Sequence, residues 1–140
     1  MNRFFQDFCD KVIALDPSIR LAAIADEDGK LLATSMRKGL KPILGPEERA
    51  QYAITAATRQ YTRLRWEYLL GKIHYATSHY VRLIRATVPI ADENSRLWYV
   101  LLLSFDIKTG NVHPIIMDKI IPLVRKNSAK FLKEKSRLRP

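Results

Sequence analysis

The chain has 140 residues, 47% of them apolar, and its 24 Lys and Arg outweigh 14 Asp and Glu to give a formal net charge of +10. That length and apolar share predict one domain with its own core and exclude a largely disordered chain. The single cysteine, Cys9, excludes an internal disulfide and a thiolate metal cluster, and no apolar run approaches the roughly 20 residues of a membrane span.

The N-terminal stretch MNRFFQDFCDKVIALD is interrupted by Asp7, Asp10 and Lys11 and lacks the apolar region and cleavage site of a signal peptide, so a soluble cytoplasmic protein is expected. Residues 2–15 read as a first helix. Phe4, Phe5, Phe8, Val12 and Leu15 recur at helical spacing, and Asp16-Pro17-Ser18 ends the run because the residue before proline disfavours helix. Cys9, among Phe5, Phe8 and Val12, reads as a small buried hydrophobe.

Residues 19–25 and 30–35 form two apolar runs joined by Asp26-Glu27-Asp28-Gly29, a hairpin signal in which Asp-Gly supplies the positive φ of a tight turn. The three acids lack the further ligands and closing Glu of a calcium loop. Residues 36–45 form a loop punctuated by Gly39, Pro42 and Gly45, without phosphate-loop spacing.

Pro46 opens a long helix with Glu47 and Glu48 in its first turn, predicted to run to Leu70 and stop at Gly71. At 100° per residue, Ala50, Ile54, Ala57, Tyr61, Leu64 and Tyr68 share one face, expected to rest on a sheet. Tyr52, Arg59 and Trp66 form another stripe, with Arg63 beside it. Tyr, Trp and Arg are the types enriched among interface anchors, so this stripe reads as a contact surface.

Residues 72–78 and 80–90 read as two further strands, with Pro89 tolerated at a strand end or edge. Asp92-Glu93-Asn94-Ser95 turns the chain into residues 96–106, RLWYVLLLSFD. Its near-continuous apolar centre predicts the middle strand of a sheet covered on both faces. Residues 106–112 form a turn. His113-Pro114 begins a last helix with Ile116, Ile120, Leu123, Val124 and Phe131 inward, and Pro122 predicts a kink or break. From about Leu132 onward the chain is expected to fray.

The predicted order is α-β-β-α-β-β-β-α. It gives an α+β sandwich in which one five-stranded antiparallel sheet carries the terminal helices on one face and the long helix on the other.

The three histidines, His74, His79 and His113, lack metal-ligand spacing, and no nucleophile elbow or acid/base carboxylate pair is present. Neither an enzyme, nor a cofactor, nor a metal is expected. The charge favours polyanions or an acidic protein, although Lys130, Lys133, Lys135, Arg137 and Arg139 place part of it near the end. Arg59, Arg63, Arg65, Arg82 and Arg85, with Trp66, are candidate nucleic-acid contacts, because guanidinium groups hold phosphates and an indole stacks on bases.

The element order and residues 15–33, LDPSIRLAAIADEDGKLLA, resemble the roadblock/dynein light-chain superfamily, whose fold is longin- or profilin-like. Residues 15–35, 71–76, 85–89, 102–106 and 119–124 (KIIPLV) are similar to segments of small roadblock-like proteins of ammonia-oxidising archaea. The resemblance implies a non-enzymatic dimeric scaffold or regulator of small GTPases, spanning residues 1–132 and followed by a basic tail at 133–140. It implies that the strand after the long helix pairs with its copy while the long helices lie together. The implied interface is Tyr52, Arg59, Arg63, Trp66, Lys72, His74 and Ala76. A nucleic-acid-binding protein and a small-ligand sensor with a closed polar pocket are the alternatives.

Overall fold

The computed structural model describes residues 3–138, the last by its backbone alone. The apolar runs pair into a five-stranded antiparallel sheet ordered β2-β1-β5-β4-β3, built from β1 (Ile19–Asp26), β2 (Leu31–Met36), β3 (Ala76–His79), β4 (Leu83–Ala91) and β5 (Leu97–Asp106). β5 is central as predicted. Tyr99, Leu101, Leu103 and Phe105 enter the core on one face, and Leu97, Val100 and Leu102 enter the core on the other. This two-sided burial is why its sequence is apolar instead of alternating.

Helix α1 (Phe4–Ile13) packs on the first face together with the C-terminal helices. It buries Phe8, Cys9 and Val12 and is shorter at both ends than residues 2–15; Asn2 lies outside the described residues. Asp16 closes the following turn by accepting the Ser18 amide at 2.9 Å and its hydroxyl at 2.7 Å, and Lys119 Nζ reaches the same carboxylate at 3.3 Å. Phe131 is wholly buried, with Phe4, Phe8 and Tyr99 around it at ring-centroid distances of 4.9, 5.0 and 5.5 Å.

Cys9 is fully buried, and burial, helped by the Asp10 charge, pushes its thiol up to about 12. Since the thiolate is the reactive form, native protein is expected to leave a disulfide reagent such as Ellman's unreacted over hours, and to react within minutes in urea. Rapid labelling without denaturant would contradict this packing.

The C-terminal segment departs from a single kinked helix. It runs as α4 (Val112–Pro114), a π-helical stretch (Ile115–Ile120), α5 (Ile121–Lys126) and α6 (Ser128–Leu138). Pro122 lies at the start of α5, where its missing amide is least disruptive, and the preceding turn has rewound as a π-helix. The break falls at Asn127, whose side chain turns back to donate to the Leu123 carbonyl at 2.8 Å. Residues 133–138, expected to fray, are the last turns of α6. Lys135 is buried there and holds both carboxylate oxygens of Glu27 at 3.0 Å. Arg139 and Pro140 lie outside the described residues.

Helix α2 (Pro46–Leu64) covers the opposite face and ends earlier than predicted; after Arg65 and Trp66 a short α3 (Glu67–Leu70) follows. Its buried side is Ala53, Ala56, Ala57, Gln60 and Leu64, so the expected face is rotated. Ala57 and Leu64 are buried, whereas Ala50 is exposed and Ile54, Tyr61 and Tyr68 are 54%, 46% and 78% exposed. Small side chains let the helix axis come close to the sheet, and close approach outweighs the burial that a bulkier stripe would gain.

Among the described residues, no helix is long and apolar enough to cross a membrane.

Candidate interaction surface

β3 is the last strand of the sheet, and among the described residues no strand pairs with its outer side. The sequence predicts a strand over residues 72–78, but the ladder holds only Ala76–His79, opposite Thr87–Ile84 of β4. Extending that register would set His74 against Pro89, which has no amide hydrogen to donate, so the pairing stops two residues short. Pro89 is thus tolerated where β4 has lost its neighbour on that side. Residues 80–82, expected to begin β4, form the connecting turn, closed by the Tyr80 amide on the Leu83 carbonyl at 2.9 Å.

Lys72 and His74 therefore lie off the ladder, in the segment between α3 and β3. Lys72 Nζ caps the Glu93 carbonyl at 2.8 Å and reaches Glu67 at 3.6 Å. Burial would raise the Glu67 carboxyl. Hydrogen bonds from Ser95 and the Ile73 amide, with the Lys72 charge, outweigh it and hold the carboxyl below the usual carboxylate range. This network fixes α3 against the β4–β5 turn. His113, far from His74 in sequence, is hydrogen-bonded to the Tyr75 hydroxyl.

Four of the predicted interface residues do come together. Tyr52, Arg59 and Arg63 on the flank of α2 and Ala76 on β3 line one narrow crevice, joined by Ser78, Arg85 and Thr87. The Arg85 guanidinium lies 3.8 Å from the centre of the Tyr52 ring, a cation–π contact. Arg63 donates to Thr87 Oγ1 at 3.3 Å and to Gln60 Oε1 at 3.4 Å. Burial lowers both Arg63 and Arg85 from the usual arginine value, and the neighbouring Arg59 charge lowers Arg63 further. Burial also raises the Tyr52 hydroxyl, which is hydrogen-bonded to Tyr80.

The candidate nucleic-acid residues are split by the same geometry. Arg59, Arg63 and Arg85 share the crevice. Arg65 is exposed at the α2–α3 junction, and Arg82 sits in the β3–β4 turn on an open groove of about 530 Å³, lined mostly by carbon, which adjoins the crevice through Tyr52 and Arg85. That groove is open and apolar, unlike the closed polar pocket that a sensor reading requires. Trp66 is 53% exposed at the junction, followed by Tyr68, Leu69 and Leu70, the last 82% exposed. Sequence reading missed Leu69 and Leu70 as surface residues, because a continuous helix to Leu70 would have turned part of that stretch inward. It also missed Ser78 and Thr87, which the register of β3 on β4 brings to the crevice and which no local signal in the sequence marks.

The sheet order, the paired faces and the position of α2 define the roadblock-like fold, as in the solved Roadblock/LC7 domain from Streptomyces avermitilis (TM-score 0.67, 9% identity, covering 91% of this chain and 97% of that one). Two MglB structures are similar to it in the same way. One is from Myxococcus xanthus (TM-score 0.68, 14% identity, 93% and 96% covered), and one is solved in a tetrameric arrangement (TM-score 0.69, 15% identity, 92% and 88% covered). No protein-family model and no curated protein sequence matches the chain.

Proposed function

We infer that this chain is a non-enzymatic regulatory or scaffold module of the cytoplasm, which pairs with a second copy and docks another protein. The resemblance to the roadblock superfamily implies a small GTPase as that partner's class. One observation carries the reading: among the described residues β3 ends the sheet with its outer edge unpaired, and the helix junction a few residues before it in the chain leaves Trp66, Tyr68, Leu69 and Leu70 in solvent. Large side chains of these types grouped at one place cost solubility unless another surface covers them. An unpaired strand edge offers main-chain hydrogen bonds to the same visitor. The solved tetrameric arrangement of MglB supports assembly by a chain of this fold.

Sedimentation velocity is expected to show a dimer at micromolar concentration. Trp66→Ala combined with Leu70→Asp is expected to weaken it at least about tenfold, the loss typical of a buried aromatic anchor. Circular dichroism should be unchanged, because both side chains are exposed. A monomer at several hundred micromolar, with the double variant indistinguishable from the parent, would sink the homodimer.

A further inference from the structure

The pairing of β3 with β4 ends at Ala76, so residues 72–74 run clear of β4 and a cleft opens between them and residues 88–91. Helix α5 and the first residue of α6 roof it. The cleft encloses about 200 Å³, many times the roughly 10–15 Å³ that one water needs. Two kinds of surface meet there. Val88, Ile90, Ile121 and Val124 give it apolar walls, whereas Lys72, His74, Arg125 and Ser128 bring it hydrogen-bond donors. Among the described residues no carboxylate lines it. Lys72 already has Glu67 as its anion, at 3.6 Å, but Arg125 takes part in none of the ion pairs among the described residues. The cleft therefore sets one unmatched guanidinium group beside a strip of apolar wall.

We propose that this cleft binds a small organic anion, a carboxylate carried on a short apolar chain. Residues 88–91 of β4 span about 10 Å, which a chain of five or so carbons matches. Such a chain would lie along them, under Ile121 and Val124. Its carboxylate would take Arg125, whose planar pair of donors fits two oxygens, and Ser128 and His74 offer further donors at the same end. Inorganic phosphate would satisfy the donors but leave the apolar walls wet, and a neutral chain would leave Arg125 without its anion. This inference goes beyond the reading above and does not rest on it. The cleft lies on the α5 side of the sheet and uses neither the outer edge of β3 nor the Tyr52, Arg59 and Arg63 flank of α2. Of the residues that the resemblance gives to an interface, only Lys72 and His74 line it, and both lie off the ladder.

The test is a titration of the isotope-labelled full chain with hexanoate, hexanamide and inorganic phosphate at one ionic strength, read from amide chemical shifts. Hexanoate is expected to give saturable shifts confined to residues 72–74, 88–91 and 121–128, with a Kd on the order of 1 mM, which about eight non-hydrogen atoms allow. Hexanamide and phosphate should each bind about tenfold more weakly or less. Arg125→Gln should weaken hexanoate about tenfold, as loss of a charge-assisted donor pair would, and Ser128→Phe should abolish binding by filling the cleft. Both side chains are exposed, so circular dichroism should be unchanged. Lys126→Gln removes the same charge from the next residue and should change nothing. Equal loss in Lys126→Gln and Arg125→Gln would reduce the effect to general charge and overturn the proposal. Hexanamide or phosphate binding as tightly as hexanoate would overturn the ligand class. The Trp66→Ala and Leu70→Asp double variant should bind hexanoate as the parent does; loss of binding there would overturn a site built by one chain. A dimer that ignores hexanoate would remove this site alone, whereas a monomer that binds it would remove the homodimer and leave the site.

Discussion

Gly29→Ala is expected to destabilise the fold by about 3 kcal/mol, a large share of a margin of roughly 5–15 kcal/mol. Gly29 sits in the β1–β2 turn with φ +87°, where an L side chain is strained. A methyl group there would lie 2.5 Å from the Ile54 Cα, 2.9 Å from its amide nitrogen and 3.0 Å from the Ala53 carbonyl oxygen, all main-chain atoms of α2. A backbone cannot swing aside as a side chain can, so the helix must lift from the turn. Gly39→Ala separates the two causes: its φ is +79°, but nothing lies within 4 Å, so only the backbone strain of about 1 kcal/mol remains. Urea titrations of both variants measure the difference. Equal losses at the two positions would mean that α2 does not press on the turn.

The second large effect is expected at the other face of the same turn. Lys135→Ala should cost about 2–3 kcal/mol, read as a lower midpoint in the same titrations. Breaking a buried pair costs about 3–5 kcal/mol, and the figure is reduced because Glu27 keeps some contact with water. The side chains are 7% and 24% exposed, with Nζ 3.0 Å from either Glu27 oxygen and 4.3 Å from the centre of the Tyr99 ring. Lys135→Met keeps the stem and should recover part of the loss, because the packing over Tyr99 survives while the charge does not. A chain ending at residue 132 should lose at least as much as Lys135→Ala. A truncation without effect would show the last turns of α6 to be dispensable. Truncation is consequently a poor way to ask whether the terminal charge binds polyanions, since it removes a structural ion pair with the surplus.

These two positions also show where the sequence was readable. Asp26 to Gly29 announced a hairpin turn, and the turn is there. Nothing local announced that α2 would press on one side of it and α6 on the other, because both contacts come from distant parts of the chain. The strand at residues 97–106 was legible because two-sided burial leaves a continuous apolar run. The buried side of α2 was not, because a reading by hydrophobic strength follows Ile54 and Tyr61, whereas close helix–sheet approach selects Ala53, Ala56 and Ala57. The stripe of Tyr52, Arg59 and Trp66 with Arg63 beside it is divided: Tyr52, Arg59 and Arg63 line the crevice, whereas Trp66 stands exposed beyond it, because α2 ends at Leu64. Alternation alone places Lys72 and His74 in β3, and the structure leaves them off its ladder. Pro89 sat in plain view, but its effect depends on which residue faces it across the ladder, and that register appears only in three dimensions.

The shortness of β3 has a quantitative consequence for any incoming chain. Four residues of free edge offer at most a handful of main-chain hydrogen bonds, each worth about 0.5–1.5 kcal/mol net. Against the roughly 8 kcal/mol of a micromolar complex, and the ordering cost on top of it, that leaves a shortfall. A missing hydrogen on one proline thus shifts selectivity from peptide backbone to side chains. On the reading proposed above, a visitor would depend on what it presents to Trp66 and its exposed neighbours, and an arbitrary extended segment would gain too little to stay.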